Sequence, residues 1–142
     1  MIVQKVRGNW PNFKTNLELV QKTLPPILAN EAKNHFLEGF RQGGKQTDAS
    51  AAGWKTRKKE YGKRGRRSNR ALLIDTGSMR FDLKVRQISF KKIIVGIRNI
   101  PYAVYHNDGT DRMPQREIIG HSKKLERKLL SDILQEFKKV FR

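Results

Sequence analysis

The sequence contains no cysteine, which excludes a disulfide framework and any thiolate metal centre. A bound metal would have to be held by nitrogen and oxygen ligands. Long apolar runs are missing as well. Ile93 to Ile97, IIVGI, is far shorter than the roughly 20 residues that a bilayer-spanning helix needs. The N-terminal stretch MIVQKVRGNWPNF has no apolar core of signal-peptide length. These absences lead to the expectation of a chain that works in a reducing cytoplasm and has no membrane partner. There is no internal repeat of solenoid length and no sustained heptad pattern, which excludes repeat arrays and coiled coils. Acidic residues are scarce: 13 Asp plus Glu stand against 31 Lys plus Arg, a net charge of +18. That imbalance points to a polyanionic partner.

The length, 142 residues, suits a single domain over 1–142 with one core. Its charge is unevenly spread. Residues 41–70 hold eleven Lys or Arg and two acids, so half of the net charge falls within thirty residues. Much of this stretch, QGGKQTDASAAGWKTRKKEYGKRGRRSNRA, is rich in Gly, Ser and like charges and has no clean period. It therefore reads as a flexible basic loop over about 43–71. Lys55, Arg57, Lys58, Lys59, Lys63, Arg64, Arg66, Arg67 and Arg70 are its candidate contacts to DNA or another polyanion. Such residues bind phosphates without reading sequence, and affinity then falls steeply with salt. Trp54 and Tyr61 offer faces for base stacking, although Trp54 is better placed to anchor the base of the loop in the core.

Before the loop, Leu17, Val20, Leu24, Ile27, Leu28, Phe36 and Phe40 recur at near-helical spacing. Pro25-Pro26 predicts a break there, with Thr23 capping a second helix that ends at Gly43-Gly44. After the loop, Phe81, Leu83 and Val85 alternate before Ile88 and Phe90 change phase. That pattern predicts a strand with a bulge or bend, a turn near Lys91-Lys92, and an antiparallel partner over 93–97. A third strand is expected over 102–106, with Tyr102 inward, closed by the turn residues Asn107-Asp108-Gly109. From Ser122, a natural N-cap, Leu125, Leu129, Leu130, Ile133, Leu134, Phe137, Val140 and Phe141 form one stripe of a long amphipathic helix. The expected fold is α+β: a small antiparallel sheet packed against N-terminal helices and a long C-terminal amphipathic helix.

The stretch YHNDGTDRMPQREIIGHS, residues 105–122, concentrates the titratable groups. A metal or nuclease reading takes His106, Asp108, Asp111 and His121 as ligands or base, but their spacing fits no recognised ligand signature. The stronger reading is a structural corner in which Pro114 enforces extended backbone and Arg116 ties the passage to a carboxylate or to backbone carbonyls.

Three segments together carry a resemblance. Leu72-Leu73-Ile74-Asp75-Thr76-Gly77-Ser78-Met79-Arg80 resembles an L-x-x-T-G-x-L-R element. Tyr102-Ala103-Val104-Tyr105-His106-Asn107-Asp108-Gly109 resembles Y-A-x-x-H-x-x-G, and Met113-Pro114-Gln115-Arg116-Glu117-Ile118-Ile119-Gly120 resembles M-P-x-R-x-x-L-G. In this order, before an amphipathic C-terminal helix, they resemble the phage virion morphogenesis family, the tail completion proteins of contractile-tailed phages and prophages. The likeness covers about residues 36–140. Asp82, Glu117 and the basic insertion at 55–70 depart from the family pattern.

The resemblance implies a structural protein without catalysis or cofactor, acting in virion assembly as an oligomeric ring at the head-tail junction. The implied partners are copies of itself, tail or neck proteins, and double-stranded DNA passing through the connector. The implied locations are the host bacterial cytoplasm during assembly and then the virion. Thr76, Gly77, Arg80, Tyr102, His106, Gly109, Pro114, Arg116 and Gly120 are the motif positions it marks for assembly. A stand-alone, sequence-independent nucleic-acid-binding protein and a metal-dependent nuclease are the competing readings.

Overall fold

The computed structural model describes residues 12–56 and 71–141. Helix α1 runs unbroken over Phe13–Gln42, so the break expected at Pro25-Pro26 does not occur. The two prolines remove the donors that would reach the carbonyls of Gln21 and Lys22. Both of those residues are exposed, where water can satisfy the carbonyls. Packing supplies the compensation: Val20, Leu24, Pro25, Ala29, Phe36 and Phe40 are buried, and α1 lies against the sheet and the C-terminal helix. Thr23 caps nothing. Its hydroxyl donates to the Leu19 carbonyl one turn back, at 3.0 Å. The helix ends as the sequence predicts, with Gly43 left-handed and its N–H bonded to the Gly39 carbonyl.

The chain that follows is more ordered than its composition suggests. Thr47 caps a short 3-10 turn over Asp48–Ser50. Gln46, Thr47, Ser50 and Trp54 are buried. Trp54 bonds through its backbone N–H to the Gly43 carbonyl at 2.6 Å, and its ring meets Phe40 edge-on with centroids 5.7 Å apart. The first part of the expected loop, through Thr56, is thus pinned to the core. The remaining candidates, Arg57, Lys58, Lys59, Lys63, Arg64, Arg66, Arg67 and Arg70, lie outside the described residues, as does Tyr61.

The strand expected to include Phe81 and Leu83 begins later. Helix α2 occupies Ser78–Asp82, then β1 (Lys84–Ile88) and β2 (Ile93–Gly96) pair antiparallel, with a register shift between Val85 and Gln87. The turn falls at Ser89 to Lys92, where each residue's N–H bonds the other's carbonyl. Asp82 fixes the exit from β2. Its carboxylate accepts from the N–H groups of Arg98 and Asn99 at 2.7 and 2.8 Å, from Asn99 Nδ2 at 2.8 Å, and from Arg86 at 2.9 Å. These donors hold its carboxyl far below the usual range, the Asn99 N–H contributing most and Arg86 next.

The third strand is not there. Residues 103–108 form helix α3 (Ala103–Asp108) instead, and the sheet has two strands. Tyr102, expected to face inward, is exposed, as is Val104. The covered residues are Ala103, His106 and Asn107, spaced three and four apart as on a helix. Gly109 then closes a helix rather than a strand, at φ 77°.

Helix α4 spans Lys123–Val140, with the Ser122 hydroxyl accepting from the Leu125 N–H. The core joins Phe36, Phe40, Trp54, Met79, Leu83, Ala103, Ile118 and Leu125. Leu129, Ile133 and Phe137 are half-buried, while Leu130 and Leu134 face solvent. The class is α+β, with one N-terminal helix where two were expected. Among the described residues no helix is long and apolar enough to cross a membrane.

Candidate functional site

Of the segments that carry the family resemblance, 72–80 lies more than twenty residues before the other two, and the fold brings residues of all three to one cleft. Its wall is the chain from Leu72 to Met79, its far side is Tyr102 and His106 of α3, and Arg116 also lines it; the volume is about 320 Å³. Thr76, Gly77, Tyr102, His106 and Arg116 therefore line one cleft. Arg80 does not line this cleft. It lies near Asn34, Leu37, Glu38 and Arg41, with its guanidinium 5.3 Å from the centroid of the Phe81 ring.

Each wall has a local cause. The Thr76 and Ser78 hydroxyls bond each other, and Thr76 also accepts from the Ser78 N–H at 3.3 Å, which sets the first turn of α2. Gly77 is left-handed at φ 83°, and a Cβ there would come within 2.9 Å of the Phe81 ring. On the opposite side, the Arg116 N–H bonds the His106 carbonyl at 2.8 Å. Asn107 Oδ1 accepts from Ile118 and Ile119 N–H at 2.8 and 3.0 Å. Helix α3 and the passage after Pro114 are thereby tied together. Gly109 allows the closest approach, since a Cβ would stand 2.9 Å from the Gln115 nitrogen. At Gly120 a Cβ would collide with the Glu117 carboxyl. Gly109 thus serves backbone proximity and Gly120 makes room for the Glu117 side chain, while Pro114 is half-buried outside the cleft.

Arg116 is buried. Its Nε donates to the Lys55 carbonyl at 2.9 Å and Nη2 to the Thr56 carbonyl at 3.4 Å. The contacts to backbone carbonyls foreseen from sequence are present, at the point where the chain enters its basic stretch. The guanidinium also acts on His106. Burial first, then the Arg116 charge, pushes the imidazole below its ordinary pKa, so it is neutral at neutral pH. Its Nδ1 is buried and has no hydrogen-bond partner among the described residues. The Tyr102 ring stands edge-on to it at 6.1 Å.

The metal and nuclease grouping is not assembled. His121 is engaged elsewhere, both ring nitrogens facing carboxylates: Nδ1 is 2.7 Å from Asp48 Oδ2, and Nε2 is 2.9 Å from Glu126 Oε1. Asp48 above all, and then Glu126, raise the His121 pKa. Asp108 accepts from the neighbouring Asn107 side chain at 3.1 Å. Among the described residues no three His, Asp or Glu side chains come together as a metal set.

Two residues gained importance only in three dimensions. His35 Nε2 lies 2.7 Å from the Gln46 carbonyl and 3.0 Å from the Ser122 hydroxyl. Because a carbonyl only accepts, Nε2 carries the proton. No local pattern marks this link across 87 positions. Asp82, visible in sequence only as a departure from the family pattern, organises the end of the hairpin. Comparison with protein-family models, curated proteins and solved structures finds no match for this chain.

Proposed function

We propose that the protein is a structural subunit of phage or prophage assembly, a tail completion or head-tail joining protein that acts as a ring of identical copies. In this reading the cleft is a shaped joint and performs no reaction. Convergence of residues 72–80, 102–109 and 113–120 supports it, because separate segments that resemble one family's motifs also form one spatial unit. The observation that carries the reading is exposure: Phe81, Tyr102, Val104 and Tyr105, which lie within or next to these segments in sequence, are 64, 46, 59 and 57% exposed. Large apolar side chains left exposed favour coverage by another protein surface. Among the described residues each strand of the sheet also has one unpaired edge, which suits a repeated heterologous contact that closes by rotation. The net charge of +18 multiplies in such a ring and suits passing DNA or acidic tail and neck proteins.

Negative-stain microscopy and light scattering test the ring, with and without tail tubes. Rings that vanish in Val104→Asp and Tyr105→Ser variants of unchanged helix content are expected. A strict monomer that never associates with tails overturns the proposal. The charge also supports a second reading, sequence-independent nucleic-acid binding. It predicts binding to DNA fragments with a steep salt dependence that shrinks when Lys63, Arg64, Arg66 and Arg67 become Ala. An unchanged slope removes those residues from that reading.

A further inference from the structure

Away from the cleft, α1, the hairpin tip and α4 enclose a groove of about 260 Å³. Its lining is Leu24, Pro25 and Leu28 from α1, Ser89, Phe90 and Ile93 from the hairpin, and Ile133 and Phe137 from α4. All but the serine are apolar. The apolar surface continues outward, because Ile27 follows Leu24 by three positions on α1, while Leu130 and Leu134 lie one turn apart on α4, and all three are exposed. Phe90, at the hairpin tip, is 54% exposed.

Lysines flank the groove in sequence: Lys91 and Lys92 adjoin Phe90 and Ile93, and Lys138 adjoins Phe137; all three are exposed. None of these lysines has a carboxylate partner among the described residues. The acids nearest in sequence are already engaged: Asp132 pairs with Lys128 at 2.8 Å and Glu136 with Lys139 at 3.5 Å. We infer that this groove binds an acidic amphipathic helix of a partner protein, whose apolar ridge enters between α1, the hairpin and α4 while its carboxylates meet Lys91, Lys92 and Lys138. Two packed helices and a hairpin make a trough suited to helix-in-groove recognition. The lysines add steering and specificity.

A second copy is the poorer occupant on charge. The helix it could offer, α4, alternates its apolar residues with six Lys or Arg and three acids, and the same charge sign would meet across the contact. A bilayer surface is poorly matched as well, since the apolar side chains line a recess. The inference concerns a different face from the ring contact and does not depend on ring formation.

The test uses the full chain and a labelled designed helix with Leu at i, i+3, i+4 and i+7 and Glu elsewhere, read by fluorescence anisotropy. A matched helix with Lys in place of Glu is the control. Saturable binding of the Glu helix, at least about tenfold tighter than the Lys helix and weakening with salt, is expected. Phe90→Ser, a change at an exposed position, should weaken it by about tenfold or more. The double change Lys91→Glu and Lys92→Glu should reverse the preference. Equal binding of both helices, or of neither, overturns the inference. So do groove changes that alter only sedimentation of the protein alone, which assigns the groove to a second copy, or only binding to phosphatidylglycerol vesicles. Rings without Glu-helix binding leave the assembly reading standing and remove this one; Glu-helix binding by a permanent monomer does the opposite.

Discussion

Arg116 Nε donates to the carbonyl of Lys55 at 2.9 Å, joining two residues 61 positions apart. Through this bond a buried cation fixes the start of the basic stretch to the corner that follows α3. The same side chain lines the cleft and holds down the His106 pKa, so structure and electrostatics are coupled at one residue.

Arg116→Ala should therefore have two consequences. Stability should fall by about 1–3 kcal/mol, since a charged donor to buried backbone is lost. The His106 pKa should rise toward its ordinary value, because the guanidinium charge no longer opposes protonation. Urea unfolding and an NMR titration of the imidazole check the two separately. A His106 pKa that stays put in the folded variant removes the coupling.

Asp82→Asn should destabilise the hairpin exit and flatten the acid limb of the stability profile. The sign follows from the lowered native pKa. Stability from the ionised carboxylate is present above the unfolded value of about 3.9 and is lost as pH falls toward the native one. Denaturation midpoints from pH 7 down to pH 2 measure this. Parallel profiles for the two proteins would show that the carboxylate network contributes no pH dependence.

His121 works in the opposite sense. Its raised pKa, from Asp48 and then Glu126, gives stability that is full below the unfolded value of about 6.5 and fades as pH rises through the native one. His121→Gln should thus lower the denaturation midpoint at pH 5.5 and have a smaller effect at pH 9. A penalty independent of pH would mean that the ion pairs do not contribute.

Along α4, the cost of truncation should track burial. Leu125→Ala, at a buried position in the core, should cost about 2–5 kcal/mol. Phe137 is only half-buried and stacks on Phe141 with centroids 5.7 Å apart, so Phe137→Ala should cost less than the 3–5 kcal/mol, roughly, of a fully buried Phe. Leu130→Ser, at an exposed site, should stay within about 0.5 kcal/mol. Equilibrium unfolding of the three variants orders them, and a costly Leu130→Ser would place that side chain in a packed environment.

Local chemistry was legible wherever one signal dominated. Ser122 caps α4 and Gly43 ends α1 as their residue types suggest, and the turn falls at Lys91-Lys92. Trp54 anchors the base of the loop, with its indole N–H donating to the Glu117 carbonyl at 2.8 Å. Competing signals misled. Pro25-Pro26 argued for a break that burial of Val20, Leu24 and Ala29 overrode, and the turn residues Asn107-Asp108-Gly109 suggested a strand end where Ala103 and His106 cover a helical face. Gly and Ser at 43–56 suggested disorder, yet backbone bonds and the indole hold that stretch in place.

By itself the sequence determined the charge excess, the α+β class, the capped ends of α1 and α4, and the motif residues, because each depends on composition or on neighbours a few positions apart. The tertiary structure alone decided that Thr76, His106 and Arg116 share a cleft, that His121 turns away to Asp48 and Glu126, and that side chains of α1, the hairpin and α4 line one apolar groove. Those relationships join distant segments, and packing, which no local pattern encodes, sets which side chains meet.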